Sequence, residues 1–281
     1  MRLASGRRAA RVASQVFRQL LPTICIAGGL VLGPHADAQT ATAPLVFTSG
    51  NVGPELSGAA AELYRPQGAA PAAAIVVLHG CNGINPHDRR WARLLAQWGY
   101  VALLIDSFRP RGFTEICNRG RLVPPELRAA DAFAGEQYLG AQPYVRPDRI
   151  GVIGFSHGGW AVLTAVLGGA ARPASAPPFA AAVAFYPACN PPATPLETDT
   201  LILIGEADDW TPAERCVRWR DLVQTNGHML RLKTYPGALH AFDALVPPHE
   251  FAGHYIGLEP QAAADATAET RAFLAARLTA R

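Results

Sequence analysis

The stretch "RIGVIGFSHGGWAVL", residues 149–163, constrains the fold more than any other part of the chain. A short apolar run enters a cluster of glycines and leaves as a helical pattern, with Ser156 at the corner. Gly154-Phe155-Ser156-His157-Gly158 fits the pattern G-x-S-x-G. Glycines on either side of such a corner remove Cβ atoms that would clash when the serine is forced into a strained strand-to-helix turn. The turn exposes the hydroxyl at a helix N-terminus, where free N–H groups and the partial positive charge of the helix favour an oxyanion.

The rest of the chain supplies a setting for that corner. Hydrophobic residues make up 49% of the 281, enough to bury a large core. Apolar runs bounded by turn residues recur: "AELYRP", "AAIVVLHG", "YVALLIDSF", "RIGVIGFS", "FAAAVAFYP", "TLILIGEAD" and "MLRLKTYP". Most are continuously apolar, as strands covered on both faces must be. Helical patterns lie between them. "PHDRRWARLLAQWG" puts Trp91, Leu94, Leu95 and Trp98 on one stripe and ends at Gly99. "PPELRAADAFAGEQYLGAQ" opens on prolines suited to a first turn, and "PAERCVRWRDLVQTNG" runs from Pro212 to Gly227. "QAAADATAETRAFLAARL" reads as the last helix. Alternating strands and helices predict a mostly parallel central sheet with helices on both faces. We see no internal repeat and no second domain, and "ARPASAPPF", 171–179, reads as a surface loop.

The N-terminus reads differently. Five arginines precede the apolar stretch "LLPTICIAGGLVLG", which is followed by "ADA" before Gln39. That is the three-part pattern of a secretory signal peptide spanning residues 1–38, with cleavage expected after Ala38 and one mature domain over 39–281. The apolar run is shorter than the roughly 20 residues that span a bilayer, and Pro22, Gly28 and Gly29 break it. The mature chain is therefore expected without a membrane span, exported to the periplasm or secreted. Cleavage takes five of the 25 Lys and Arg and one of the 22 Asp and Glu, moving the formal charge from +3 to −1. No basic run remains as an electrostatic footprint for nucleic acid. Cys25 leaves with the signal, and Cys81, Cys117, Cys189 and Cys216 remain, an even number that suggests two disulfides in an oxidising compartment.

A serine hydroxyl is a poor nucleophile until a neighbouring base takes its proton, so Ser156 demands a histidine and an orienting acid further along. Strand "TLILIGEAD" ends at Asp208, and "LRLKTYP" leads into "GALHAF", which supplies His240. The order Ser, Asp, His is that of the α/β-hydrolase fold.

With "HGCNG", "YVALLIDSF", "RIGVIGFSHGG", "AFYP", "LILIGEADDWTP" and "YPGALHAFD" in this order, the chain resembles the dienelactone hydrolase family over roughly residues 60–280. The last two motifs together are the more specific ones. The family's acid stands four residues before a proline, so Pro212 selects Asp208 over Asp209. The enzymes that named the family carry a cysteine at the elbow where this chain has Ser156. Serine leans on a His–Asp pair more than a thiolate does, which makes the triad necessary here. The resemblance implies an ester or lactone hydrolase but no particular substrate.

It implies further roles. The backbone N–H of Cys81, after His79-Gly80, would join that of His157 as the oxyanion hole. Strand neighbours in the fold suggest the pairings Cys81–Cys117 and Cys189–Cys216, the first of which would hold the oxyanion loop still. His79 reads as a structural hydrogen-bonding group, and His249 and His254, in an expected loop, match no strong zinc motif. Arg109, Arg111, Arg119 and Arg121 read as solvated charges, one of which could meet a substrate carboxylate. Trp160 is assigned to the core, Trp210 to a pocket wall, and 107–125 to a cap over the site. The reading is thus a serine hydrolase using Ser156, His240 and Asp208 on a small ester or lactone, without cofactor or metal. The alternatives are a prolyl-oligopeptidase-like amidase and a noncatalytic binding protein on the same scaffold.

Overall fold

Each apolar run pairs with a neighbour in one sheet. The computed structural model describes residues 57–279 apart from 69–70, 169–171, 175 and 193, together with 39–41 and 47–48. The expected signal peptide lies outside the described residues. The strands are β1 (Gln39–Ala41), β2 (Phe47–Thr48), β3 (Ser57–Arg65), β4 (Ala72–Leu78), β5 (Val101–Asp106), β6 (Val145–Phe155), β7 (Ala182–Phe185), β8 (Thr200–Gly205) and β9 (Leu230–Tyr235). They form a nine-stranded sheet in the order β1-β3-β5-β4-β6-β7-β8-β9, with β2 paired to β3. Pairings from β5 through β9 are parallel, and β3 joins β5 antiparallel. This is the α/β-hydrolase fold, a mostly parallel sheet packed with helices.

The physical reason lies in the side chains. All six residues of β5 and of β8 are buried, and in β4 only Ala72 is not. A strand with both faces covered has no polar side, and each buried Val, Leu or Ile contributes roughly 1.5–3 kcal/mol. Helices α1 (Pro86–Gln97), α2 (Pro125–Gly140), α3 (His157–Ala165), α4 (Ala213–Leu222) and α5 (Pro260–Leu278) supply the covers. Helix α1 starts in a capping box: Asn85 accepts from the His87 N–H, and Asp88 accepts from the Asn85 N–H at 2.9 Å. Its Trp91 and Leu95 are buried, with Leu94 and Trp98 packed at the edge of the core.

Two sequence expectations shift. Helix α4 stops at Leu222, five residues before Gly227, because Val223 turns extended and the Gln224 carbonyl accepts from the Leu196 N–H at 2.8 Å. The 171–179 segment is not wholly superficial: Ala176 and Phe179 are buried, and the Phe179 ring stacks on Phe133 at 4.9 Å.

The order of the strands fixes where a ligand sits. From β4 the chain crosses one way to β5 and then back past β4 to β6, so the crevice opens at the C-terminal ends of β4 and β6. Leu78 and Gly154 are partners in that pairing, which brings the turn after β4 against the turn after β6.

Candidate active site

Ser156 caps the start of α3 with φ +53° and ψ −114°, a conformation that side chains rarely adopt. The neighbouring glycines explain how the chain tolerates it. A Cβ on Gly154 would run into the Gly158 carbonyl, and one on Gly158 into the Leu78 carbonyl. The corner is held by hydrogen bonds on both sides: the Ser156 N–H donates to the Phe185 carbonyl at 2.9 Å, and the Trp160 N–H donates to the Ser156 carbonyl at 2.9 Å.

The turns after β8 and β9 bring two more side chains to this corner. His240 Nε2 lies 2.9 Å from Ser156 Oγ, and His240 Nδ1 lies 2.8 Å from Asp208 Oδ2. With Nδ1–H donated to a carboxylate, Nε2 presents its lone pair to the serine hydroxyl. Asp208 is itself held from three sides. The Trp210 and Thr211 N–H groups donate to Oδ1 at 3.0 and 2.7 Å, and the Thr211 hydroxyl lies 2.8 Å from Oδ2. Asp208 and His240 are 3% and 2% exposed, so water does not compete for these bonds. Asp209 points elsewhere, 3.4 Å from His254.

Cys81 and His157 flank the serine. The first residue of α3 is His157, whose N–H is one of the helix's unpaired first-turn donors. Cys81 lines the cavity beside Ser156, and both expected disulfides are present, Cys81–Cys117 and Cys189–Cys216. His79 is fully buried; its Nδ1–H donates to the Gly80 carbonyl at 2.7 Å, and burial together with the nearby Arg128 pushes its pKa well below the usual value.

A cavity of about 380 Å³ opens above Ser156 and His240. Its wall corrects the assignment of 107–125 as the cap. Around Ser156, His240, Phe155, Tyr186 and Trp210 the rest of the lining comes from 80–90 and from 241–256, including Leu245, Val246, His249, Phe251 and Ile256. Segment 107–125 packs beside the site instead, where Phe108, Ile116 and Val123 form a small apolar cluster with Cys81. Nor are His249 and His254 in a loop: they open the strands β10 (His249–Phe251) and β11 (His254–Ile256) of an antiparallel hairpin. Trp210 lines the cavity, its ring stacked on His254 at 4.6 Å and tilted over His240 at 5.0 Å.

The arginines divide. Arg111 is not a solvated charge, because it makes a two-pronged pair with the buried Asp131 at 2.9 and 2.8 Å. Arg109 approaches Asp106 at 3.7 Å, and Arg121 lies over the Trp160 ring at 5.2 Å. Trp160, assigned to the core from sequence, is only half-buried and meets His157 edge-on. The arginine on the cavity wall is Arg90.

Three residues at the site carried no sequence signal strong enough to single them out. Asp243 stands three residues past His240 and gathers hydrogen bonds from His87, Trp91 and Tyr186. Tyr186, at φ +36°, packs its ring on His240 at 4.8 Å. Arg128, fully buried, donates to the His79 carbonyl and to the His157 ring. Among the described residues, no helix is long and apolar enough to cross a membrane. That and the two disulfides are compatible with export.

The model of the dienelactone hydrolase family matches residues 59–278. A Bradyrhizobium protein named "Probable 2-oxo-3-(5-oxofuran-2-ylidene)propanoate lactonase" is 28% identical over 201 residues, covering 65% of this chain and 78% of that protein. The crystal structure of a dienelactone hydrolase-like promiscuous phosphotriesterase from metagenomic libraries superposes with a TM-score of 0.68 at 20% identity, covering 86% of this chain and 99% of that one. A dienelactone hydrolase from Anabaena variabilis gives a TM-score of 0.60 at 21% identity, with coverages of 86% and 99%. At these identities the two structures speak to the fold.

Proposed function

Since the chain belongs to the dienelactone hydrolase family, we propose that it is an exported serine hydrolase that cleaves a small carboxylic ester or lactone through an acyl-enzyme. The observation that carries this reading is the continuous contact from Ser156 Oγ to His240 Nε2 at 2.9 Å and from His240 Nδ1 to Asp208 Oδ2 at 2.8 Å. The lactonase name of the Bradyrhizobium relative supports the substrate class.

In this mechanism Ser156 Oγ attacks the carbonyl carbon while its proton passes to His240 Nε2. Asp208 keeps the Nδ1–H in place and stabilises the imidazolium that forms. The carbonyl oxygen becomes an oxyanion that accepts hydrogen bonds from the Cys81 and His157 N–H groups. His240 then gives its proton to the departing alkoxide, which in a lactone stays tethered to the acyl group. A water molecule, deprotonated by His240, repeats the attack and frees the carboxylic acid and Ser156. Serine replaces the cysteine of the enzymes that named the family, and the buried Asp208–His240 pair supplies the base that a hydroxyl requires.

The test is hydrolysis of short-chain p-nitrophenyl esters and of a simple lactone by the protein and by Ser156→Ala, with fluorophosphonate labelling of both. Turnover and labelling in the parent and neither in the variant are expected. Turnover that survives Ser156→Ala would remove the serine mechanism, and faster cleavage of matched amides than of esters would favour a peptidase.

A further inference from the structure

Arg128 is 0% exposed, yet among the described residues no carboxylate lies within 4.0 Å of it. The nearby Asp131 is taken by Arg111, and Arg128 Nε has no hydrogen-bond partner. A buried cation without a paired anion is costly, and an apolar side chain of similar volume in α2 would avoid that cost. What the guanidinium does touch is specific. Nη2 donates to the His79 carbonyl at 2.7 Å, Nη1 donates to His157 Nδ1 at 2.9 Å, and the Phe108 ring lies beneath it at 4.9 Å.

From this geometry we infer that Arg128 is the positioning residue of the oxyanion hole, bracing both of its donor segments with one side chain. The inference rests on the reading of Cys81 and His157 as the two donors. On the first side, Arg128 fixes the His79–Gly80 peptide by its carbonyl. His79 Nδ1–H then holds the next carbonyl, that of Gly80, at 2.7 Å. In a trans peptide the N–H points opposite to the C=O, so fixing the Gly80 carbonyl fixes the direction of the Cys81 N–H. On the second side, Arg128 has no acceptor to offer, so His157 Nδ1 must be a bare lone pair and Nε2 must carry the proton that is donated to the Gly120 carbonyl at 2.8 Å. Burial and the charge of Arg128 push the His157 pKa down to about 3, so the ring stays neutral in this one tautomer. The residue that donates the second N–H is thereby locked by its own ring.

The guanidinium also places a positive charge, only partly offset at a distance by Asp131, Asp88 and Asp106, behind the place where the oxyanion develops. In a dry surrounding such a charge favours the tetrahedral intermediate over the bound ester.

The experiment compares Arg128→Lys and Arg128→Met with the parent, after thermal melting has established which variants fold. It measures kcat and KM on p-nitrophenyl butyrate and the Ki of an alkyl trifluoromethyl ketone. That ketone accepts Ser156 Oγ at its carbonyl carbon, passes the serine proton to His240 and leaves its oxygen as an oxyanion. Loss of the brace is expected to lower kcat about 100-fold in Arg128→Met and about 10-fold in Arg128→Lys, with KM within about threefold. The Ki should rise by the same factor as kcat falls. If Arg128→Met does not fold, Arg128→Lys decides. A folded variant with kcat within about threefold of the parent, or one whose kcat falls while the Ki stays put, overturns the proposal. A parent that fails to turn over the ester at all overturns the serine-hydrolase reading itself, which this comparison detects separately.

Discussion

His87 Nε2 stands 2.8 Å from Asp243 Oδ2, a contact that spans 156 positions of sequence and clasps the His240 segment to helix α1. Trp91 Nε1 donates to the same oxygen at 2.6 Å, and the Tyr186 hydroxyl donates to the other at 2.8 Å. Tyr186 in turn packs on the His240 ring, so the histidine is held through its neighbour on one side and its own loop on the other. Burial alone would lower the His87 pKa, but the charge and hydrogen bond of Asp243 outweigh it and raise the value to about 9. Burial likewise pushes Asp243 up, and His87 and the Trp91 and Tyr186 donors bring it down to about 2.

The pair therefore makes stability depend on pH in a known direction. An unfolded histidine titrates near 6.5, so the stabilisation from protonated His87 is complete below about pH 6.5 and is lost as pH rises through about 9. Melting temperatures of the parent and of His87→Gln should differ most near pH 6 and draw together in alkali. A gap that widens with pH would refute the assigned charges.

Asp208 and Asp209 are adjacent in sequence and separate in role. Asp208→Asn should lower kcat by about 10³- to 10⁴-fold, because the amide no longer holds the His240 tautomer. Asp209→Asn, whose contacts are the exposed ones with His254 and the Tyr255 N–H, should stay within about twofold in kcat. Equal effects in steady-state kinetics would count against Asp208 as the orienting acid.

The two disulfides close segments of 36 and 27 residues, and the chain-entropy model assigns each about 4 kcal/mol of stabilisation. Urea unfolding of Cys81→Ser/Cys117→Ser and of Cys189→Ser/Cys216→Ser should give comparable losses. Only the first pair tethers the turn after β4, so only its removal should also depress kcat.

Glu136 is 5% exposed with Oε2 unpartnered, and burial raises its pKa to about 7. The folded protein thus prefers the protonated acid, and stability falls as pH rises from the unfolded value near 4.3 through about 7. Glu136→Gln should melt higher than the parent at pH 8 and show no gain at pH 4. No gain at pH 8 would mean the carboxylate finds water.

Much of the fold and of the Ser156–His240–Asp208 constellation was legible because its signals are local. Short, continuously apolar runs bounded by turn residues and alternating with helical patterns read as covered strands, and the glycines around Ser156 leave one kind of turn. Pro212 distinguished Asp208 from its neighbour through family resemblance, and strand adjacency paired the cysteines. What sequence did not reveal depends on distant contacts. The arginine-rich 107–125 segment looked like a free cap, but Arg111 is spent on Asp131 and Cys117 is tied to Cys81, which fix the segment beside the cavity. Arg128 stands in a helical pattern with no local mark of its own. Its burial follows from α2 being covered on nearly every side by β4, β5, β6 and α3, which no local pattern announces. Asp243 has no local mark of a role, since its partners come from α1 and from Tyr186 just past β7.

One wall of the cavity is an uninterrupted stretch of chain, 241–256, whereas Ser156, Asp208 and His240 hang from the ends of separate strands. Within that stretch Leu245 and Tyr255 are more than half exposed, whereas Phe242 and Asp243 are buried and anchor it to the core. Acceptance of a new substrate is therefore open to change by rewriting a single short segment around that anchor, with the sheet and the Ser156–His240–Asp208 contacts left untouched. Two descendants of this chain with the same chemistry and different diets would differ first there.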